Sequence, residues 1–230
     1  TTALLVWIRA SNTSVYACVA TNTSGVISYG TTVQLYNGSA GGTAAVAGAG
    51  GQTTSLLTGL TTGMCFVTRS ATAVAVPFSI SGTTITVGTT SATFGVSQNS
   101  FYNVTGRAVL SSTVMLIAYA TAPTTAVLNT ITYNGASAPT LGTASTAIAV
   151  RSRAQDSPGI QLINLTATTS FAAYQAGATA TDYQWDFRII TTSGVSAPTL
   201  GTVLSQTISD DRAGDDPGVL SGYLPCTLYA

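Results

Sequence analysis

Ser137-Ala138-Pro139-Thr140-Leu141-Gly142-Thr143 recurs letter for letter as Ser196-Ala197-Pro198-Thr199-Leu200-Gly201-Thr202. Each copy closes a longer pattern in which a Ser-Gly or Asn-Gly turn is followed, after a short apolar stretch, by Gly-Thr. The pattern occurs four times: Ser24-Gly25 to Gly30-Thr31, Ser81-Gly82 to Gly88-Thr89, Asn134-Gly135 to Gly142-Thr143, and Ser193-Gly194 to Gly201-Thr202. Its second glycines, Gly30, Gly88, Gly142 and Gly201, are 58, 54 and 59 residues apart. A fixed period of that size marks a repeat architecture, in which each unit buries its apolar face against its neighbours.

Between these markers lie short apolar runs. The first period holds 4–8, 15–19, 26–29 and 32–36, and the second holds 55–57, 64–67, 74–80 and 84–87. The third holds 107–110, 114–119 and 127–133, and the fourth holds 160–165, 171–174 and 183–190. Rich in β-branched and aromatic residues and bounded by Gly, Ser and Asn, they read as strands joined by hairpins. No ten-residue segment carries helical periodicity. The expected fold is all-β and β-propeller-like, with four repeat units of about 55 residues and four short strands each. One domain would span 1–230, with units near 1–40, 41–95, 96–148 and 149–209. Pro139 and Pro198 occupy the same place in the last strand of their units, and proline cannot donate to a ladder, so that strand is expected at a sheet edge.

The segment 210–230 has two readings. Residues 218–224 resemble 159–165, the opening strand of the fourth unit, and would close a ring by completing the first. Alternatively, 226–229 begins a fifth unit. The N-terminal Thr1-Thr2-Ala3 is read as a processed end or an internal piece, without a visible cationic leader.

Composition limits the functions available. All seven cations are Arg and all seven anions are Asp, with no Lys, Glu or His. Charged residues make up 6% of the chain, against roughly 25% in ordinary soluble domains. Zero net charge and the lack of a basic tract remove the electrostatic footprint of a nucleic-acid binder. Low charge also removes the usual defence against self-association, so an assembly is expected. No run approaches the ~18 apolar residues of a spanning helix. These runs are also short for a membrane barrel, whose strands need about ten residues.

Here the pattern meets a known family. The hairpin Val76-Pro77-Phe78-Ser79-Ile80-Ser81-Gly82-Thr83-Thr84-Ile85-Thr86-Val87-Gly88-Thr89 resembles the repeat of β-propeller-like modules in bacteriophage tail-fibre and virion surface proteins, where a Gly-Thr-x-Ile-x-x-Gly hairpin ends each unit. The first unit departs from it, since 25–30 is one residue shorter than 82–88. The resemblance carries no catalytic residues. It implies a structural or receptor-binding component on the tail or capsid surface of a virus, working with other virion proteins and a host glycan or protein.

Site chemistry is sparse. Without His, Lys and Glu, nucleophilic triads, Schiff bases and the usual zinc sites are excluded, and no enzyme activity or cofactor is expected. Asp182 and Asp186 share a strand face with Gln184, opposite Tyr183 and Trp185, and would offer a carbohydrate platform of carboxylates or stacked rings. The plainer reading, preferred here, makes the aromatics a buried face and the carboxylates its wet reverse. The acidic loop Asp210, Asp211, Asp215 and Asp216 has the oxygens for Ca²⁺, yet lacks the EF-hand order and is read as a solvated turn.

A propeller lectin or a cell-surface or appendage protein is the competing class. A lectin predicts one aromatic-polar pocket per unit, and the strands matched to 183–185, namely 15–17, 74–76 and 127–129, repeat none. Cys18 and Cys65 fall in strand-like runs and are expected to be buried thiols, leaving Cys226 over. The sequons at Asn12, Asn22, Asn37, Asn103 and Asn164 are expected by chance in a chain this rich in Ser and Thr.

Overall fold

Each period of the sequence forms one antiparallel sheet. The structure, a computed structural model, describes residues 1–9, 14–38, 54–58, 61–69, 72–94, 104–122, 124–134, 136–150, 160–176 and 182–209. The first sheet comprises β1 (Thr2–Arg9), β2 (Ser14–Thr23), β3 (Val26–Tyr29) and β4 (Val33–Tyr36). The second comprises β5 (Thr54–Thr58), β6 (Thr62–Arg69), β7 (Thr72–Ser81) and β8 (Thr84–Val87). The third runs β9 (Val104–Val109), β10 (Val114–Ala122), β11 (Thr125–Thr132), β12 (Thr140–Leu141) and β13 (Ile148–Ala149). The fourth runs β14 (Ile160–Asn164), β15 (Thr169–Ala176), β16 (Asp182–Thr191), β17 (Thr199–Leu200) and β18 (Leu204–Ser209). The chain is thus all-β, with no α-helix among the described residues.

The strand count differs from four per unit because the last strand of each sheet is broken. In the first, third and fourth sheets, two short strands lie along one central strand: β3 and β4 on β2, β12 and β13 on β11, β17 and β18 on β16. In the second sheet β8 is followed by a single bridge, Phe94 to Ala73. The glycine of Gly-Thr sits at every break. Gly30, Gly88, Gly142 and Gly201 donate their amides to the carbonyls of Val19, Pro77, Thr130 and Ile189, at 2.8, 2.8, 2.8 and 2.9 Å.

Two breaks are mended by serine. The buried Ser91 hydroxyl accepts the Ala75 amide at 2.9 Å and donates to the Ala92 carbonyl at 2.8 Å. Ser145 does the same for the Leu128 amide at 3.0 Å and the Thr146 carbonyl at 2.8 Å. A buried amide left unpaired costs about 1–3 kcal/mol, so the hydroxyl replaces what the missing strand would have supplied.

Proline placement follows from the same breaks. Pro139 and Pro198 immediately precede β12 and β17, which lie at sheet edges, as expected. Pro77, in contrast, lies in β7, between β6 and β8, where proline is normally excluded. A strand residue directs its N–H and C=O to the same side. Pro77 accepts from Gly88, so its nitrogen faces the step where the outer strand leaves the ladder.

The sheets stack face to face in chain order. Val15, Ala17 and Val19 of β2 meet Cys65, Val76 and Phe78 of the second sheet in one buried core. The opposite face of that sheet, with Met64, Phe66 and Ala75, packs on Met115, Ile117 and Ile131 of the third. The other face of the third, with Leu116 and Leu128, packs on Ile160, Ala172 and Tyr174 of the fourth. Full burial of one large aliphatic side chain contributes about 1.5–3 kcal/mol, so these cores supply more stability than any junction hydrogen bond.

Several sequence expectations need correction. The central strands β2, β7 and β16 are ten residues long, longer than the runs 15–19, 74–80 and 183–190 read from the sequence, so strand length does not separate this chain from a membrane barrel. No helix is long and apolar enough to cross a membrane, among the described residues. The first turn is not shortened: Ser24, with φ 54°, takes the left-handed place of Gly82, with φ 59°, and each lies six residues before its unit's glycine. Finally, β1 pairs with β2 alone, so the first sheet has no described counterpart of β5, β9 or β14. The segments 210–230 and 151–159, with both readings of the closing strand, lie outside the described residues.

Candidate functional site

The carboxylate with a described side chain is Asp186, and register decides its surroundings. Tyr174 on β15 and Ser205 on β18 are its direct cross-strand partners, giving a row Tyr174–Asp186–Ser205 across three strands. Tyr174 belongs to the core between the third and fourth sheets, so this row faces inward. Asp186 is only 7% exposed. Its Oδ1 accepts from Ser205 Oγ at 2.7 Å and from Gln184 Nε2 at 2.9 Å, and Gln184 also donates to Ser205 at 3.1 Å. Two residues on, Arg188 Nε donates to the Tyr174 hydroxyl at 2.7 Å, and its Nη1 reaches the Gly201 carbonyl at 3.5 Å.

This arrangement reverses the preferred sequence reading. Asp186 and Gln184 are on the inward face, while Trp185 and Phe187, on the other side of β16, are partly exposed. Burying a carboxylate is costly unless it is hydrogen-bonded, and the Ser205, Gln184 and Tyr174 partners supply that compensation. Asp182 and Tyr183 lie on the same strand, but their side chains are outside the described set. Asp210, Asp211, Asp215 and Asp216 lie outside the described residues altogether. Among those described, no group of three or more potential metal ligands comes together.

Electrostatics makes the cluster a tie between strands. Burial pushes the Tyr174 phenol above its ordinary pKa; Arg188 pulls it back through its hydrogen bond and charge, and the Asp186 carboxylate pushes it up again. A phenol held protonated between a guanidinium and a carboxylate is neither an available base nor a nucleophile.

A second concavity opens between the second and third sheets. Thr62, Ser79, Thr86 and Asn134 line a cleft of about 450 Å³. Across it Thr89 donates its amide to the Ala136 carbonyl at 2.9 Å, and between the same two sheets the Tyr133 hydroxyl donates to the Phe78 carbonyl at 2.5 Å. Burial again raises the Tyr133 pKa. Hydroxyls, amides and backbone can bind a polar ligand here, but the lining has no carboxylate or amine for acid-base chemistry.

Sequence reasoning missed Ser91 and Ser145, although Gly88-Thr89-Thr90-Ser91 and Gly142-Thr143-Ala144-Ser145 repeat the spacing Gly-Thr-x-Ser. It also mismatched the strands. With the residues that accept from the four glycines aligned, Trp185 corresponds to Val15, Ala73 and Ala126, two or three residues from the sequence match. No aromatic repeats at that position either. Cys18 and Cys65 are buried free thiols, as expected. No family model matches the chain, and no curated protein is similar to it.

Proposed function

We propose that the four sheets are successive blades of a propeller-like module, and that the module is a non-enzymatic structural or receptor-binding component of a virus particle, most directly a bacteriophage tail or capsid surface. One observation carries the reading: the same backbone device recurs at two boundaries between successive units. Thr89 donates to Ala136, and Thr143 donates to Val195, each at 2.9 Å, and each acceptor is in the turn that opens the next unit's outer hairpin. The chain's distinctive residues are thereby invested in stacking, and Asp186 and Arg188 are invested in bonds within the fourth sheet. The resemblance of residues 76–89 to virion surface repeats supplies the setting, with other virion proteins as partners and a host glycan or protein as the ligand presented to loops. Recognition on such a scaffold belongs to surface loops, which vary without disturbing the sheets.

Electron microscopy of the native source with labelled antibody against this chain tests the setting. Label on particles, together with copurification with other virion proteins, is the expected result. A free protein that binds one sugar at equivalent positions on each unit would replace this reading with the lectin.

A further inference from the structure

Two internal junctions, Thr89 to Ala136 and Thr143 to Val195, have a donor side and an acceptor side, and the first and fourth sheets each present one of these sides to no neighbour among the described residues. On the donor side stand a Gly-Thr amide and a glycine whose missing side chain admits the next turn. A Cβ on Gly142 would lie 2.5 Å from the Val195 carbonyl oxygen, and one on Gly30 would lie 2.4 Å from that of Thr83. Gly201-Thr202 repeats the Gly142-Thr143 sequence, but a Cβ on Gly201 would meet Ile189 of its own sheet and no turn of another. On the acceptor side, Thr83, Ala136 and Val195 lie in the turns of their hairpins, and Thr83 and Val195 each follow a glycine of positive φ. Gly25 holds that place in the first unit, and a Cβ on it would meet nothing within 4 Å.

Among the described residues, the faces around these groups are apolar and partly exposed. On the fourth sheet, Trp185 and Phe187 stand where Val15, Ala73, Ala126 and Ala17, Ala75, Leu128 are buried under the following sheet. Beside them Ile189 is 46% exposed and Leu204 is 71% exposed. On the first sheet, the strand face turned away from the second bears Leu5, Trp7, Ile27 and Tyr29, with Tyr29 65% exposed.

We propose that the fourth sheet docks the first sheet of a second copy of this chain, head to tail, with the Thr202 amide donating to the partner copy's Gly25 carbonyl. The occupant is a first sheet because a turn of this repeat is what the same Gly-Thr element seats at the internal junctions. Such an interface is heterologous, so copies close into a ring or extend as a filament. This inference stands on the junction geometry and not on the viral setting, so either can fail without the other.

Sedimentation of the whole chain over a range of concentrations, with two variants, decides it. Ile27→Asp places a charge on the first-sheet face and Leu204→Asp places one on the fourth-sheet face; both side chains are exposed, and circular dichroism checks that the fold survives. The chain itself should assemble as concentration rises, and each variant alone should stay monomeric. An equimolar mixture of the two should form dimers that grow no further, because each variant retains one working face. A chain that is monomeric throughout, a variant that assembles alone, or a mixture that fails to pair would overturn the proposal.

Discussion

Thr143 donates its amide to the carbonyl of Val195 at 2.9 Å, across the boundary between the third and fourth sheets. The contact depends on its neighbour Gly142, where a Cβ would meet both the same carbonyl and Thr130 Oγ1. Glycine is needed there for space, not for a left-handed backbone, which distinguishes it from Gly82 and Gly194 with φ of 59° and 55°.

Gly142→Ala should therefore destabilise the protein. The new Cβ would sit 2.5 Å from the Val195 oxygen and 2.6 Å from Thr130 Oγ1. Overpacking against backbone costs about 1–3 kcal/mol. Urea denaturation should show a lower midpoint, and an unchanged midpoint would mean that the two sheets separate freely at this point.

Ser145→Ala tests the mended strand. Loss of the hydroxyl leaves the buried Leu128 amide without its partner, at a cost of about 1–3 kcal/mol. Ser91→Ala should behave alike at Ala75. Thr146→Ala, which keeps the backbone carbonyl that Ser145 bonds, should be nearly silent in the same melting experiment.

The fold was legible to the extent that local chemistry controls it. Turn glycines, β-branched runs and the edge prolines act within a few residues, and they place the four sheets and the outer positions of β12 and β17. Which side of a strand faces where was not legible. In β7 six successive residues from Ala73 to Phe78 are buried, because sheets cover both faces, and alternation then carries no information. The same loss of contrast hid Asp186: its partner Ser205 is 19 residues away and meets it only through the register of β16 with β18. Outer-strand breaks were hidden because a mending serine resembles any other in a chain rich in Ser and Thr.

Alkaline pH should destabilise the protein. Burial raises the pKa of Tyr119, Tyr133 and Tyr174 in the folded state. A raised folded value favours the neutral phenol in the native structure. Stability from these groups is full below the unfolded tyrosine pKa of about 10 and is lost as pH rises through the higher folded values. The melting temperature should hold up to that point and then fall as tyrosinate absorbance appears. A steady tyrosinate titration without loss of structure would contradict this.

Amide hydrogen exchange on the native chain tests the stacked-sheet account most directly. Thr89 and Thr143 donate across internal junctions, whereas Thr202 occupies the equivalent place on the fourth sheet, where no acceptor turn lies among the described residues. At concentrations where the chain is monomeric, Thr89 and Thr143 should exchange slowly and Thr202 fast. Equal, rapid exchange at all three would contradict the claim that one Gly-Thr junction holds the sheets together.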